Sequence, residues 1–67
     1  MKVFVAVIDT YEEQVGVGIT RGKAVSEAAR KAHAYLERRE ALLPETATPR
    51  KVAAYFGVRV YREELAQ

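Results

Sequence analysis

Residues Lys2 to Ile8, KVFVAVI, are apolar at nearly every position and rich in β-branched side chains. Runs of that length and composition form strands. Successive side chains of a strand point to opposite faces, so Val3, Val5 and Val7 share one side and Phe4, Ala6 and Ile8 the other. A strand apolar on both sides belongs inside a sheet with cover above and below. Only one other segment is long enough to supply a layer. In Gly22 to Leu43, apolar residues recur at Val25, Ala28, Ala29, Ala32, Tyr35, Leu36, Leu42 and Leu43, interrupted by Arg39. That is the spacing of one helical face, and the other face carries Glu27, Arg30, Lys31, Glu37, Arg38 and Glu40. One helix covers one side of a strand. The remaining side should stay apolar and open in a single chain.

The rest of the chain fits around these two segments. Asp9 to Gln14 is polar and predicts a hairpin connection, with Asp9 and Thr10 bonding back to the backbone. Val15 to Thr20 alternates Val15, Val17 and Ile19 with Gly16, Gly18 and Thr20, which predicts a second strand. Glycines inside a strand mark a bulge or the close approach of another backbone. Alanines at 28, 29 and 32 let the first half of the helix lie close to whatever it covers. Lys23, Glu27 and Lys31 stand four residues apart, a spacing for two surface ion pairs. Pro44 stops the long helix, and Glu45 to Thr48 is a linker. Beyond it two readings stand. Thr48 as cap, Pro49 at the first helical position and Gly57 past the end frame a two-turn helix on Val52, Ala53 and Phe56, followed by a strand over Val58 to Arg62. Alternation at 52, 54, 56, 58 and 60 would instead make one long strand. The first reading gives an α+β domain, residues 1–67, in the order β-β-α-(α)-β. It is a small antiparallel sheet of about three strands with one long helix on one face.

Composition narrows the partners. A single core built from 67 residues is small, and there is no cysteine to staple it. Self-association is the remaining way to bury more surface, so a homo-oligomer is expected. Hydrophobic residues make up 49% and charged residues 30%, the balance of a folded chain and not a disordered tail. The first residues lack the basic stretch and long apolar run of a secretory signal, and no run approaches the roughly 18 apolar residues of a membrane span. A cytoplasmic protein without membrane contact is expected. Eleven basic residues against nine acidic give +2, and the signs alternate along the chain. Nucleic-acid binders concentrate positive charge on one face, so this balance permits phosphate contact without requiring it.

Candidate sites are few. Asp9, Glu12 and Glu13 are the place for a metal, but ordinary turn chemistry explains them as well. His33, the single histidine, has no serine, cysteine or carboxylate partner in sequence and marks the margin of the helix stripe. Gly16, Gly18 and Gly22 do not have the spacing of a phosphate loop. The segment TPRKVAAYFGV is similar to the first helix of a helix-turn-helix, but Glu63 falls where the next helix needs an apolar residue. No catalytic residue, cofactor or metal site is expected. The residues expected at a partner interface are Phe4, Ala6 and Ile8 from the first strand, with Arg59 and Tyr61 from an edge strand able to receive another chain. Arg50, Lys51, Arg59 and Arg62 are the candidates for RNA or DNA contact.

The stretch GITRGKAVSEAARKAHAYL resembles the HicB-type antitoxin domain, through Gly22, Val25, Glu27, Ala28 and Ala32. The preceding hairpin, MKVFVAVI to VGVGIT, and a late strand after a proline-containing loop are similar too. The resemblance implies a partial RNase H-like fold without nuclease carboxylates; in departure from the family pattern, a free-standing, degenerate relative without a DNA-binding extension is expected. The resemblance also implies a partner, a small basic toxin-like protein such as an mRNA interferase, held inactive in the complex. The leading expectation is a non-enzymatic interaction module that neutralises such a partner. A small nucleic-acid-binding protein and an oligomeric structural domain are the alternatives.

Overall fold

The computed structural model describes residues 1–64. β1 (Lys2–Asp9) is the central strand of a three-stranded sheet, with β2 (Glu13–Gly18) on one side and β3 (Arg59–Glu64) on the other. Both pairings are antiparallel. Between β2 and β3 the chain forms α1 (Arg21–Arg38), a 3-10 turn over Pro44–Thr46, and α2 (Pro49–Phe56). The α+β architecture is the expected one, and the helix reading of residues 49–56 is correct. Among the described residues a strand and no helix follows Gly57, so the helix-turn-helix likeness ends there.

The hairpin is tighter than its polar stretch suggests. The Thr10 hydroxyl and N–H both donate to the Glu12 carbonyl, at 2.6 and 3.2 Å, and Glu13 already pairs with Asp9. β2 therefore begins two residues before Val15. Thr20, expected inside that strand, leaves it to cap α1, its hydroxyl accepting from the Lys23 N–H at 3.1 Å. The distal end of α1 also differs from its apolar stripe, which runs on to Leu43. The helix stops at Arg38, where the Glu40 N–H reaches the Glu37 carbonyl and the Ala41 N–H the Leu36 carbonyl at 2.9 Å. That is a Schellman-type close, with Glu40 at φ 53 in the position glycine normally takes. Arg39, the residue that broke the stripe, lies over the rings of Tyr11 and Tyr35 at 5.4 and 5.3 Å. Leu43 is consequently exposed.

α2 has the expected frame. The Thr48 hydroxyl accepts from the Lys51 N–H at 3.2 Å, and Gly57 closes the helix at φ 82. Thr46, in the turn before it, is buried, and its hydroxyl accepts from the Leu43 N–H at 2.9 Å.

The core lies between the sheet and the two helices. Ala6 and Ile8 from β1 meet Ala24, Ala28, Ala29, Ala32, Tyr35 and Leu36 from α1 and Val52 from α2. Phe4, Val58 and Val60 pack at its margin. Small side chains dominate because the helix is pressed onto the strand. A Cβ atom at Gly16 would fall 2.3 Å from both the Ala24 carbonyl oxygen and the Ala28 nitrogen. At Gly18 it would fall 2.7 Å from the Ala24 nitrogen. Neither distance is available to a real side chain. The two glycines are there for the backbone contact.

Candidate functional site

Both helices cover the same side of the sheet. Register puts Gly16 opposite Ala6 and Gly18 opposite Phe4, so the side-chain-free face of β2 continues the Phe4, Ala6, Ile8 face of β1. The alternate face carries Val3, Val5 and Val7, flanked by Val15 and Val17 from β2 and by Tyr61 from β3. No helix or loop among the described residues forms a second layer over it. Val3 and Val7 are shielded in their position between neighbouring strands, whereas Val17 is 48% and Tyr61 46% exposed. The apolar surface left open by having a single helix layer is thus present.

The expected interface residues are divided by this arrangement. Arg59 and Tyr61 lie on the open face, opposite Val7 and Val5. Phe4, Ala6 and Ile8 do not. Ala6 and Ile8 are fully buried under α1, and Phe4 packs against the same core. The face is decided by the glycines, because α1 can reach backbone contact only where β2 has no side chains. Residue parity in Val15 to Thr20 carried this signal. Carried across the hairpin, it assigns the open side to Val3, Val5 and Val7.

The rim of the face is charged and mostly acidic. The Arg59 guanidinium donates to Asp9 Oδ2 at 2.8 Å and to the Tyr61 hydroxyl at 3.3 Å, and lies 3.5 Å from Glu13 Oε2. Two carboxylates thus share one guanidinium, the opposite of carboxylates converging on a metal ion. Glu12 enters the turn through its carbonyl. Among the described residues no cluster of three metal-ligating side chains forms. Glu63, opposite Val3, adds a further acid at the other end of the face.

The four candidate nucleic-acid contacts are not brought together. Arg59 is paired with acids on the open face. Arg62 alternates with it and points to the helix side of β3, near Lys2 and Glu64. Arg50 and Lys51 stand on α2 and border two different hollows. His33 is a structural tie, its Nε2 lying 3.1 Å from the Ala47 carbonyl oxygen. A cleft of about 680 Å³ separates the N-terminal ends of α1 and α2. Its walls include Arg21, Val25, Ala29, Pro49 and Arg50 and are largely hydrocarbon.

The two edges of the sheet differ in a way sequence reading did not find. On β2, Lys31 Nζ donates to the Val15 carbonyl at 3.1 Å, and the Val17 N–H points to Glu27 Oε1 at 3.5 Å. Glu27 and Lys31 also pair with each other at 3.3 Å. The Lys31 bond, and after it the Val17 N–H, hold the Glu27 carboxyl below its ordinary pKa of 4.5. The four-residue spacing of Lys23, Glu27 and Lys31 announced two ion pairs; among the described residues only Glu27–Lys31 forms, and the spacing did not announce that this pair would bond a strand edge.

No family model matches the chain, and neither the curated proteins nor the solved structures contain a similar one. No helix among the described residues is long and apolar enough to cross a membrane.

Proposed function

We propose that this protein is a non-enzymatic binding module whose ligand is a small basic protein seated on the open face of the sheet. The observation that carries the reading is the apolar strip of exposed Val17 and Tyr61 with half-buried Val5 and Val15, which flanks the shielded Val3 and Val7 and has no second layer among the described residues. An exposed apolar patch with a polar rim is the usual character of an interaction surface. The rim explains the sign of the partner. Asp9, Glu13 and Glu63 face one arginine, Arg59, so a positively charged protein gains favourable charge contacts around a hydrophobic centre. The likeness of the α1 start to the HicB-type antitoxin domain points in the same direction, toward a toxin-like partner neutralised by complex formation in the cytoplasm.

The test is recovery of the tagged protein from its own host, followed by native mass spectrometry. The expected species is a stoichiometric complex with a small basic protein. A Val17→Lys chain, altered at a half-exposed position that the fold does not need, should lose that partner while keeping its thermal transition. Recovery of the chain alone, or a complex unaffected by Val17→Lys, removes the reading.

A further inference from the structure

We infer that a second copy of this chain joins β3 edge to edge, making a continuous six-stranded sheet with a twofold axis at Tyr61. The inference goes beyond the partner-binding face, because it uses the backbone of the strand edge.

Backbone groups in an antiparallel ladder alternate between bonding inward and pointing outward. Val15 gives its outward C=O to Lys31 and Val17 its outward N–H to Glu27, which shows that both residues bond away from β1 and that their partners Val7 and Val5 turn toward β3. Those residues bond Arg59 and Tyr61, which leaves Val60 and Arg62 with N–H and C=O groups directed away from the sheet. Among the described residues nothing bonds them. β3 has the charged side chains that often guard an edge, but Arg59 and Arg62 are balanced by Glu63 and Glu64, so they do not repel a second copy of the same strand. β3 is six residues long, pairs with β1 without a bulge, and contains no proline. On the opposite edge the Glu27 and Lys31 side chains cross β2 at Val15 and Val17 and stand in the way of an added strand, so growth is favoured at β3. One open edge produces a closed dimer and not a fibre.

The sequence of β3 is complementary to itself. With two antiparallel copies centred on Tyr61, Val60 of each faces Arg62 of the other, and their outward groups make four backbone hydrogen bonds. On the open face Arg59 then stands opposite Glu63 of the second copy, twice, and the two Tyr61 rings meet at the axis. These are non-hydrogen-bonded pairs, whose side chains approach most closely. Moving the axis to Arg62 would set two arginines against each other. Charge therefore selects the register.

The experiment is sedimentation equilibrium on the full chain, with two kinds of variant. Wild type should sediment as a dimer, twice the 7.5 kDa chain mass, at about 50 μM and below. Arg62→Pro removes an outward N–H that β1 does not use. It should weaken the dimer at least about tenfold and leave the circular dichroism spectrum unchanged. Glu63→Arg and Arg59→Glu should each weaken it similarly, and an equimolar mixture of the two chains should restore a heterodimer, since their β3 strands are again complementary. A monomeric wild type overturns the inference. So does a dimer unaffected by Arg62→Pro and Glu63→Arg, or a mixture that fails to reassociate. Val17→Lys should leave this dimer intact, which separates failure of the edge from failure of the face.

Discussion

β2 and β3 flank the same central strand, yet they are built on opposite terms. β2 is nearly stripped of side chains on its inner face, so α1 lies on its backbone, and the same helix returns Glu27 and Lys31 to its outer edge. β3 contributes Val60 to the margin of the core and otherwise exposes Arg59, Tyr61, Arg62, Glu63 and Glu64. One edge strand is clamped from two directions and the other is presented. The difference shows that two side chains of one helix can guard a sheet edge that the strand's own sequence leaves bare.

The clamp on β2 is broken most severely at Gly16. Gly16→Ala forces a methyl group against helix backbone that cannot move independently. The expected loss is about 2–3 kcal/mol, or roughly 10–20 °C in Tm, whereas Arg62→Ala on β3 should change stability by less than about 0.5 kcal/mol. Equal thermal shifts for the two variants would show that the strands are not differently held. Thr20→Ala acts one step back, on the cap that starts α1 over β2. It should cost about 1 kcal/mol, measured by urea unfolding. The finest probe is the edge bond itself. A carboxyl held below its usual pKa contributes stability above pH 4.5 and loses it as the pH falls through the lowered value. Protection of the Val17 amide against hydrogen exchange should therefore fall below that pH in wild type. In Glu27→Ala, which removes the acceptor, it should be low throughout, and the Val60 and Arg62 amides of a dissociated chain should be unaffected by either change. A Val17 amide indifferent to Glu27→Ala would mean that β2 is not closed by this bond.

Much of the fold was legible from residue pattern. The two-faced apolar run in β1 required a central strand, the 3.6-residue stripe required α1, and Thr48, Pro49 and Gly57 framed α2 against a rival strand. The open face was legible as a shortage of cover, but its side was misassigned to Phe4, Ala6 and Ile8. Alternation within one strand says only that two faces exist. The glycine parity of β2 settles which one the helix takes, and only after hairpin register ties Gly16 to Ala6. The ends of α1 and β2 shifted for a related reason. Thr20 and Glu40 serve caps whose partners are neighbouring backbone groups, and periodicity does not register those.

By itself the chain determined its element types, their order and the existence of an unshared apolar surface, because these follow from the side-chain periods of strand and helix. The tertiary structure alone decided which face is open and which edge is closed. Both depend on contacts between residues distant in sequence, Gly16 with Ala28 and Lys31 with Val15, where backbone meets backbone or a side chain bonds a strand edge. Hydrophobic pattern carries no information about such backbone contacts, and here they decide how the sheet is covered and which of its edges is left bare.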